Sequence, residues 1–163
     1  MSAIMLPKVY IETSVVSYYT GRGSRDVVLA ARQQSTQEFW PLLGSELSPF
    51  VSAIVIKEAG KGDPGLARGR LDAIGSFPVL QTTAEAEHLA QAILDGRGVP
   101  AEYPEDALHI AVAAVAGMDF VVTWNFAHIN NPFTKMIVRQ SVENAGYECP
   151  EIVSPDAFLG EKS

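Results

Sequence analysis

The sequence predicts an α/β fold with a mainly parallel β-sheet and helices on both faces. Short apolar segments typical of buried strands alternate with segments whose apolar residues recur at helical spacing. Its 163 residues suit one domain, and no internal repeat or linker divides them, so we expect a single domain over residues 1–163. Hydrophobic residues make up 47% of the chain and charged residues 19%, a balance that excludes a disordered chain.

Capping and helix-breaking residues divide the first half of the chain. Thr13 and Ser14 offer N-cap hydroxyls after the first strand, and Asp26 can begin the next helix. Pro41 is expected to kink or end that helix, because proline removes a backbone hydrogen bond. The predicted elements here are a strand over 8–12, helices over 13–19 and 26–41, a strand over 48–52, and helices over 53–59 and 66–74.

The second half of the chain continues the alternation. A strand at 79–80 precedes a helix that Thr83 caps, with apolar residues at helical spacing as far as Leu94. The helix that opens at Pro104 is apolar at nearly every position after Asp106, so we expect it to be buried on all sides. The remaining predicted elements are a strand over 120–123, a helix over 134–145, a strand over 152–153 and a turn at 155–156.

Charge and composition exclude several classes of protein. Twelve basic residues against 19 acidic ones give a net charge of −7, which disfavours a broad electrostatic grip on nucleic acid. Cys149 is the only cysteine, so an intrachain disulfide framework and an all-cysteine zinc site are excluded. Pro7 breaks the N-terminal segment too early for a signal peptide, and the longest apolar run is too short for a membrane span. We therefore expect a cytoplasmic protein.

Four polar side chains are predicted to meet at one edge of the sheet. Glu12 ends the first strand, and Asn125 closely follows the strand over 120–123. Glu58 lies on the helix after the second strand, and Asp106 lies in the first turn of the buried helix. Ligands of parallel sheets bind at the carboxyl ends of the strands. Carboxylates so close repel one another unless a hard cation such as Mg²⁺ or Mn²⁺ binds among them, and metal-assisted phosphodiester hydrolysis suits such a cluster.

Three of these four residues also have a structural interpretation. Asp106 can stabilise the helix dipole, and Glu58 can be a solvated helix residue. Asn125 can simply accept a left-handed turn. Glu12 is harder to explain structurally, because an acid in an otherwise apolar strand needs a partner.

The histidines near these acids are interpreted separately. His109 lies three residues after Asp106 in apolar surroundings, and we interpret it as a buried structural histidine. His128 lies in the loop after Asn125, where it is either a substrate contact or a surface residue.

The order of these motifs resembles that of PIN-domain nucleases, many of which are VapC-type toxins of toxin–antitoxin pairs. The resemblance covers residues 9–152 and implies a three-layer α/β/α sandwich with Mg²⁺- or Mn²⁺-dependent cleavage of RNA. Its most specific part is the Asp-Ala-Leu segment before an alanine-rich helix, followed by a hydrophobic strand and Thr-x-Asn. The segments that carry it are Tyr10-Ile-Glu-Thr-Ser-Val15, residues 52–58, Asp106-Ala-Leu-His-Ile-Ala-Val-Ala113 and Thr123-Trp-Asn125.

Carried over residue by residue, the resemblance makes Glu12, Glu58, Asp106 and Asn125 the catalytic and metal-binding residues. The first acid of the family is usually aspartate, and this chain has the longer Glu12. The fourth is often aspartate, and this chain has the neutral Asn125. The expected substrate contacts are Thr13, Ser14, Thr123 and His128.

The resemblance also implies a reaction and partners. The cation polarises a phosphoryl oxygen and activates a water, which attacks phosphorus in line and leaves a 3′ hydroxyl and a 5′ phosphate. The implied partners are an RNA substrate, a small antitoxin protein and, as in many family members, a second copy of the chain. Two alternatives stay open: a PIN-like domain that binds RNA or protein with little cleavage, and a receiver-like phosphoryl-transfer domain, whose usual aspartate acceptor Glu12 matches poorly.

Overall fold

The computed structural model describes residues 5–160, and over that part of the chain five parallel strands form one sheet. The order is β3-β2-β1-β4-β5, so β1 is central and β3 and β5 are the edges. This confirms the predicted α/β class with a parallel sheet. The strands are β1 (Lys8–Ile11), β2 (Ser48–Ser52), β3 (Val79–Leu80), β4 (Phe120–Val122) and β5 (Glu151–Val153).

Seven α-helices connect and cover these strands within residues 5–160. Two short 3-10 turns, Trp40–Leu42 and Pro155–Phe158, complete the regular elements of that range. The first turn follows the helix that Pro41 was expected to end. The helices are α1 (Thr13–Thr20), α2 (Val27–Phe39), α3 (Ala53–Ala59), α4 (Pro64–Ala73), α5 (Ala84–Asp95), α6 (Pro104–Val115) and α7 (Pro132–Asn144).

Two helices start earlier than predicted because another residue provides the cap, and α1 starts as predicted but with an unexpected cap. Glu12, rather than Thr13 or Ser14, caps α1, since its carboxylate accepts the Ser14 backbone N–H. Helix α7 begins two residues before the predicted start, because the Asn131 side chain accepts the Phe133 N–H and Pro132 fits the first helical position. Helix α4 likewise begins at Pro64, two residues early, with Asp63 as its cap.

The register of the central strands explains why one edge of the sheet collects functional groups. Tyr10 of β1 pairs with Phe50 of β2 and with Val121 of β4. The three strands therefore end at nearly the same level, and the Glu12 N–H donates to the Val122 carbonyl at 3.1 Å. The chain segments that leave β1, β2 and β4 all emerge at this carboxyl edge.

Helix α6 is buried over most of its length, as its apolar sequence predicts. Residues 109–114 are all buried, and so is Ala107. Burial fixes the helix against α5 and the sheet, and its first turn carries Asp106 to the carboxyl edge. Among residues 5–160, no helix combines the length and apolar character that a membrane crossing requires.

Candidate active site

Glu12 lies directly after β1 and is only 5% exposed. Its Oε2 accepts the Ser14 N–H at 3.1 Å, and its Oε1 accepts the hydroxyls of Ser14 and Thr123, each at 2.5 Å. A buried carboxylate needs such donors to offset the loss of water. These donors satisfy the need for a partner that the sequence indicated and leave part of Oε2 available.

The two hydroxyls that bind Glu12 also hold the loop after β4. Ser14 Oγ accepts the Trp124 N–H at 2.9 Å, and Thr123 Oγ1 accepts the Asn125 N–H at 2.9 Å. Their hydroxyl hydrogens are engaged by Glu12, so the structure gives both residues a role in fixing the acid. Direct contact of Ser14 and Thr123 with substrate stays a prediction.

Glu58, near the end of α3, meets α1 and α6. Its Oε1 accepts the Thr13 hydroxyl at 2.6 Å and lies 2.7 Å from His109 Nε2. Burial by itself would raise the pKa of the Glu58 carboxyl, but the hydrogen bond and positive charge of His109, with the Thr13 hydroxyl, lower that pKa to about 2. Glu58 is therefore ionised at neutral pH, and Thr13 contacts this acid.

His109 lies fully buried between Glu58 and Tyr10. Burial acts to lower the pKa of His109, but the Glu58 hydrogen bond and the charges of Glu12, Glu58 and Asp106 raise it above its ordinary value. The interpretation of His109 as a buried structural histidine captured its burial and missed its contact with Glu58. The only signal in the sequence was its i, i+3 spacing from Asp106, which places both on one face of α6.

Asp106 lies with Asn125 and His128 on the other side of the site. His128 Nδ1 is 3.0 Å from Asp106 Oδ2, and the Asn125 amide donates to the same oxygen at 3.4 Å. Burial raises the pKa of the Asp106 carboxyl and outweighs the charge of His109, which lowers it; the charge of Glu12 raises the pKa further, and His128 lowers it. The surroundings of Asp106 thus disfavour its ionised form, whereas those of Glu58 favour it.

Asn125 also organises the loop beyond β4. Its Oδ1 accepts the His128 N–H at 3.0 Å, while its amide N–H faces Asp106. The His128 ring stacks on Tyr103, with 3.8 Å between the ring centroids. His128 thus contacts Asp106 and Tyr103 and is not an isolated surface residue, while its contact with substrate stays a prediction.

A cleft of about 390 Å³ opens beside these groups. Tyr103, at its mouth, is 47% exposed. Four of its lining residues are acids, so the cleft attracts cations and repels a bare phosphate. The lining residues are Glu58, Glu102, Tyr103, Pro104, Glu105 and Asp106.

The donor set fits a hard divalent cation. The nearest donor atoms of Glu12, Glu58 and His109 all lie within 4.8 Å of one another. The charges of Glu12 and of the ring of His109 reach the Asp106 carboxyl as well. Carboxylate oxygens are the ligands that Mg²⁺ and Mn²⁺ prefer, and a bound cation would relieve the mutual repulsion of the three acids.

Comparison with known proteins identifies the fold. Neither a family model nor a curated protein matches the sequence. The structure is similar to that of VapBC2 from Rickettsia felis, which was solved bound to a DNA fragment from its promoter. The TM-score is 0.54 at 16% sequence identity, and the match covers 74% of this chain and 89% of that chain. It is also similar to VapC20 from Mycobacterium tuberculosis, a toxin that cleaves the sarcin–ricin loop, with a TM-score of 0.52, 18% identity, and coverage of 85% of this chain and 95% of that chain. The chain therefore has the fold of the VapC toxins, the PIN-like α/β/α sandwich that its sequence predicts.

Proposed function

We propose that this protein is a Mg²⁺- or Mn²⁺-dependent ribonuclease and the toxin of a toxin–antitoxin pair. The observation that carries the proposal is the cluster of Glu12, Glu58 and His109, whose donor atoms lie within 4.8 Å of one another at the carboxyl edge of a VapC-like sheet, with Asp106 near enough for the charge of Glu12 to act on it. A similar fold belongs to a toxin that cleaves the sarcin–ricin loop, which supports RNA as the substrate. Bound at this edge, the cation would supply Lewis-acid polarisation of a phosphoryl oxygen and a more acidic water for in-line attack.

The protein's own residues have distinct tasks in this proposal. Glu12 and Glu58 provide carboxyl oxygens whose orientation is fixed by hydrogen bonds before substrate arrives. Asp106 provides a third carboxylate, which takes up a proton more readily than an ordinary aspartate because its pKa is raised by burial and by Glu12. Asn125 donates to Asp106, an interaction that an aspartate at this position could not make.

The neutral Asn125 is compatible with catalysis for that reason. Its amide replaces one negative charge with a donor that favours the ionised form of Asp106. Three acids then face the cation, and the RNA phosphate contributes further negative charge when it binds. The alternative of a non-cleaving PIN-like domain receives no separate support from the geometry.

The proposed partners follow the same reasoning. RNA is the substrate, and a small antitoxin is the protein partner, in keeping with the fold shared with VapBC2. A second copy of the chain is the remaining expected partner, and the cytoplasm is the expected compartment. Thr13, Ser14, Thr123 and His128 stay the predicted substrate contacts.

The test is RNA cleavage by the purified protein with added Mn²⁺ or Mg²⁺ and with a chelator. We expect cleavage only with the cation, and a loss of at least about 100-fold in Glu12→Gln, which removes one charged oxygen at the cluster. Glu148→Gln, at an exposed acid outside the cluster, is the matched control and should cleave normally. Cation-independent cleavage, or RNA binding with no cleavage, would contradict the proposal.

A further inference from the structure

A chain of buried side chains connects the central strand to Glu58. Tyr10 on β1, Ser52 at the end of β2 and His109 on α6 are all fully buried. The Tyr10 hydroxyl lies 2.7 Å from Ser52 Oγ and 2.5 Å from His109 Nδ1. The other ring nitrogen of His109, Nε2, lies 2.7 Å from Glu58 Oε1. One continuous line of hydrogen bonds thus joins four elements of the fold.

The hydrogen-bond capacity of Glu58 decides what His109 Nε2 does. An ionised carboxylate only accepts hydrogen bonds, so the nitrogen 2.7 Å from its oxygen carries a hydrogen and donates it. A ring nitrogen that carries a hydrogen has no lone pair for a metal ion. His109 therefore binds Glu58, and a cation must be held by the neighbouring carboxylates.

The same contacts determine which oxygen of Glu58 is available. Oε1 accepts hydrogen bonds from Thr13 and from His109, which use both of its lone pairs. Neither of these hydrogen bonds reaches Oε2, so Oε2 is the oxygen able to meet a cation, with the Glu105 carboxyl as the other acid beside Glu58. A carboxylate free to rotate would present either oxygen, whereas this one is held in a single orientation.

We propose that His109, itself fixed by Tyr10 and Ser52, is a positioning residue that holds Glu58 Oε1 and so directs Oε2 to the divalent cation. The inference rests on the proposed function, because it requires a cation at the carboxylate cluster. It gives Tyr10, Ser52 and His109 a role in metal binding, although none of the three touches substrate.

Residue spacing places the line of hydrogen-bonded side chains, Tyr10, Ser52 and His109, directly behind the acids. Side chains at i and i+2 of an extended segment share a face, so Tyr10 of β1 and Glu12, whose backbone just after β1 is also extended, lie on the same side of the sheet. Residues at i and i+3 share a helix face, so His109 and Asp106 lie on the same side of α6. Because the chain is fully buried, water cannot replace a missing member, and the Tyr10 hydroxyl sets the orientation of the imidazole.

The experiment compares Mn²⁺ affinity by calorimetric titration with the melting temperature of the metal-free protein. The variants are His109→Leu, His109→Gln and Tyr10→Phe, with Val142→Ala as the control. Glutamine can place an amide N–H near the position of Nε2, whereas leucine cannot. Val142 is a fully buried residue on α7 outside the chain of hydrogen bonds, so its truncation destabilises the fold by an unrelated route.

We expect His109→Leu to bind Mn²⁺ about 10- to 100-fold more weakly, the usual effect of removing a residue that orients a ligand. His109→Gln should recover affinity to within about threefold of the wild type, although its metal-free melting temperature falls. Tyr10→Phe should weaken binding by about threefold to tenfold. Val142→Ala should melt at a lower temperature and bind Mn²⁺ normally.

Wild-type affinity in His109→Leu would overturn the inference. So would His109→Gln binding as weakly as His109→Leu, or Val142→Ala losing as much affinity, because the loss would then reflect volume or general instability. If His109→Leu does not fold, Tyr10→Phe decides, and unchanged Mn²⁺ affinity there overturns the inference. A wild-type protein that binds no Mn²⁺ contradicts the proposed function and this inference together, whereas wild-type binding with unaffected variants contradicts this inference alone.

Discussion

Glu58 and Asp106 line the same cleft, but their surroundings shift their pKa values in opposite directions. At Glu58, burial is outweighed by His109 and Thr13, and the pKa falls to about 2. At Asp106, burial outweighs the charge of His109 and, together with the charge of Glu12, raises the pKa. The contacts differ as well: the hydrogen bonds at Glu58 are 2.6 and 2.7 Å long, whereas those at Asp106 are 3.0 and 3.4 Å.

This difference divides the site into an inner group, Glu12, Glu58 and His109, and an outer group, Asp106, Asn125 and His128. In the inner group, Glu12 and Glu58 are each held by hydrogen bonds from the protein, and each keeps an oxygen able to meet a cation. The outer group holds a carboxylate whose charge the protein compensates only in part. When two titratable groups of one site are shifted apart, they are suited to different tasks. We infer that the inner group sets the position of the cation and that the outer group responds most to its charge.

The largest effect is expected when an inner acid is removed. Glu12→Ala leaves two hydroxyls and the N-terminus of α1 without their acceptor, so the metal-free protein should lose about 2 kcal/mol of stability. Cleavage should fall below detection, and most of the Mn²⁺-induced rise in melting temperature should disappear, because the rise reports a cation that binds only the folded state. Melting with and without Mn²⁺ measures both. An undiminished Mn²⁺ shift would mean that the cation binds elsewhere.

Asp106→Asn should abolish cleavage as well but spare the fold. The variant removes a ligand charge and keeps the size and helix-start position of the side chain. Cleavage assays with melting curves of the same preparation check this. Wild-type cleavage by a folded Asp106→Asn protein would remove Asp106 from the site.

The inner group should also give the metal-free protein a characteristic dependence on pH. The pKa of Glu58 falls from 4.5 to about 2 on folding, so its contribution is present above 4.5 and is lost as the pH falls towards 2. The pKa of His109 rises above 6.5 on folding, so its contribution is complete below 6.5 and is lost as the pH rises through the folded value. Their joint contribution is therefore largest between pH 4.5 and 6.5.

Thermal melting from below pH 4.5 to well above pH 6.5, in the presence of a chelator, measures that dependence. In His109→Gln the loss of stability on the alkaline side should be weaker than in the wild type, because no imidazole titrates there. Parallel pH profiles for the two proteins would show that the titration of His109 beside Glu58 contributes nothing to stability.

The smallest effect is expected in the outer group, from Asn125→Asp. The added charge should tighten Mn²⁺ binding by on the order of 1 kcal/mol, about fivefold, at a partly buried site. Without a cation the same change replaces a donor to Asp106 with a like charge, so the metal-free variant should melt at a lower temperature. Calorimetric titration and melting of both proteins test this. If neither quantity changes, Asn125 does not belong to the site.

The sequence predicted the fold well because the features that determine it are local. The apolar segments at 48–52 and 79–80 became β2 and β3 with the predicted bounds, and the helices over 53–59 and from residue 84 followed their caps. Errors arose where a long-range contact or an unexpected cap decided the boundary. Glu12 was assigned to the strand, but it lies between β1 and α1, and its carboxylate caps α1.

The site was predictable only in part for the same reason. Strand ends in a parallel sheet identify Glu12 and Asn125 without any contact being known. The contact between His109 and Glu58 joins residues that are 51 positions apart, and no pattern along the chain encodes it. The apolar neighbours of His109 correctly indicated burial, but burial alone does not reveal which polar group a histidine contacts.

The opposite pKa shifts of Glu58 and Asp106 can be tested by comparing the thermal melting of Glu58→Gln, Asp106→Asn and the wild type at pH 7 with a chelator. The Glu58 side chain is 23% exposed, so solvent weakens part of the stabilisation that its lowered pKa represents. We therefore expect Glu58→Gln to lose on the order of 2 kcal/mol of unfolding free energy. Asp106→Asn removes a charge that the folded state disfavours, so its melting temperature should equal or exceed that of the wild type. Opposite shifts in the two variants are the result predicted here. A clear loss of stability in Asp106→Asn, or none in Glu58→Gln, would contradict the division of the site into inner and outer groups.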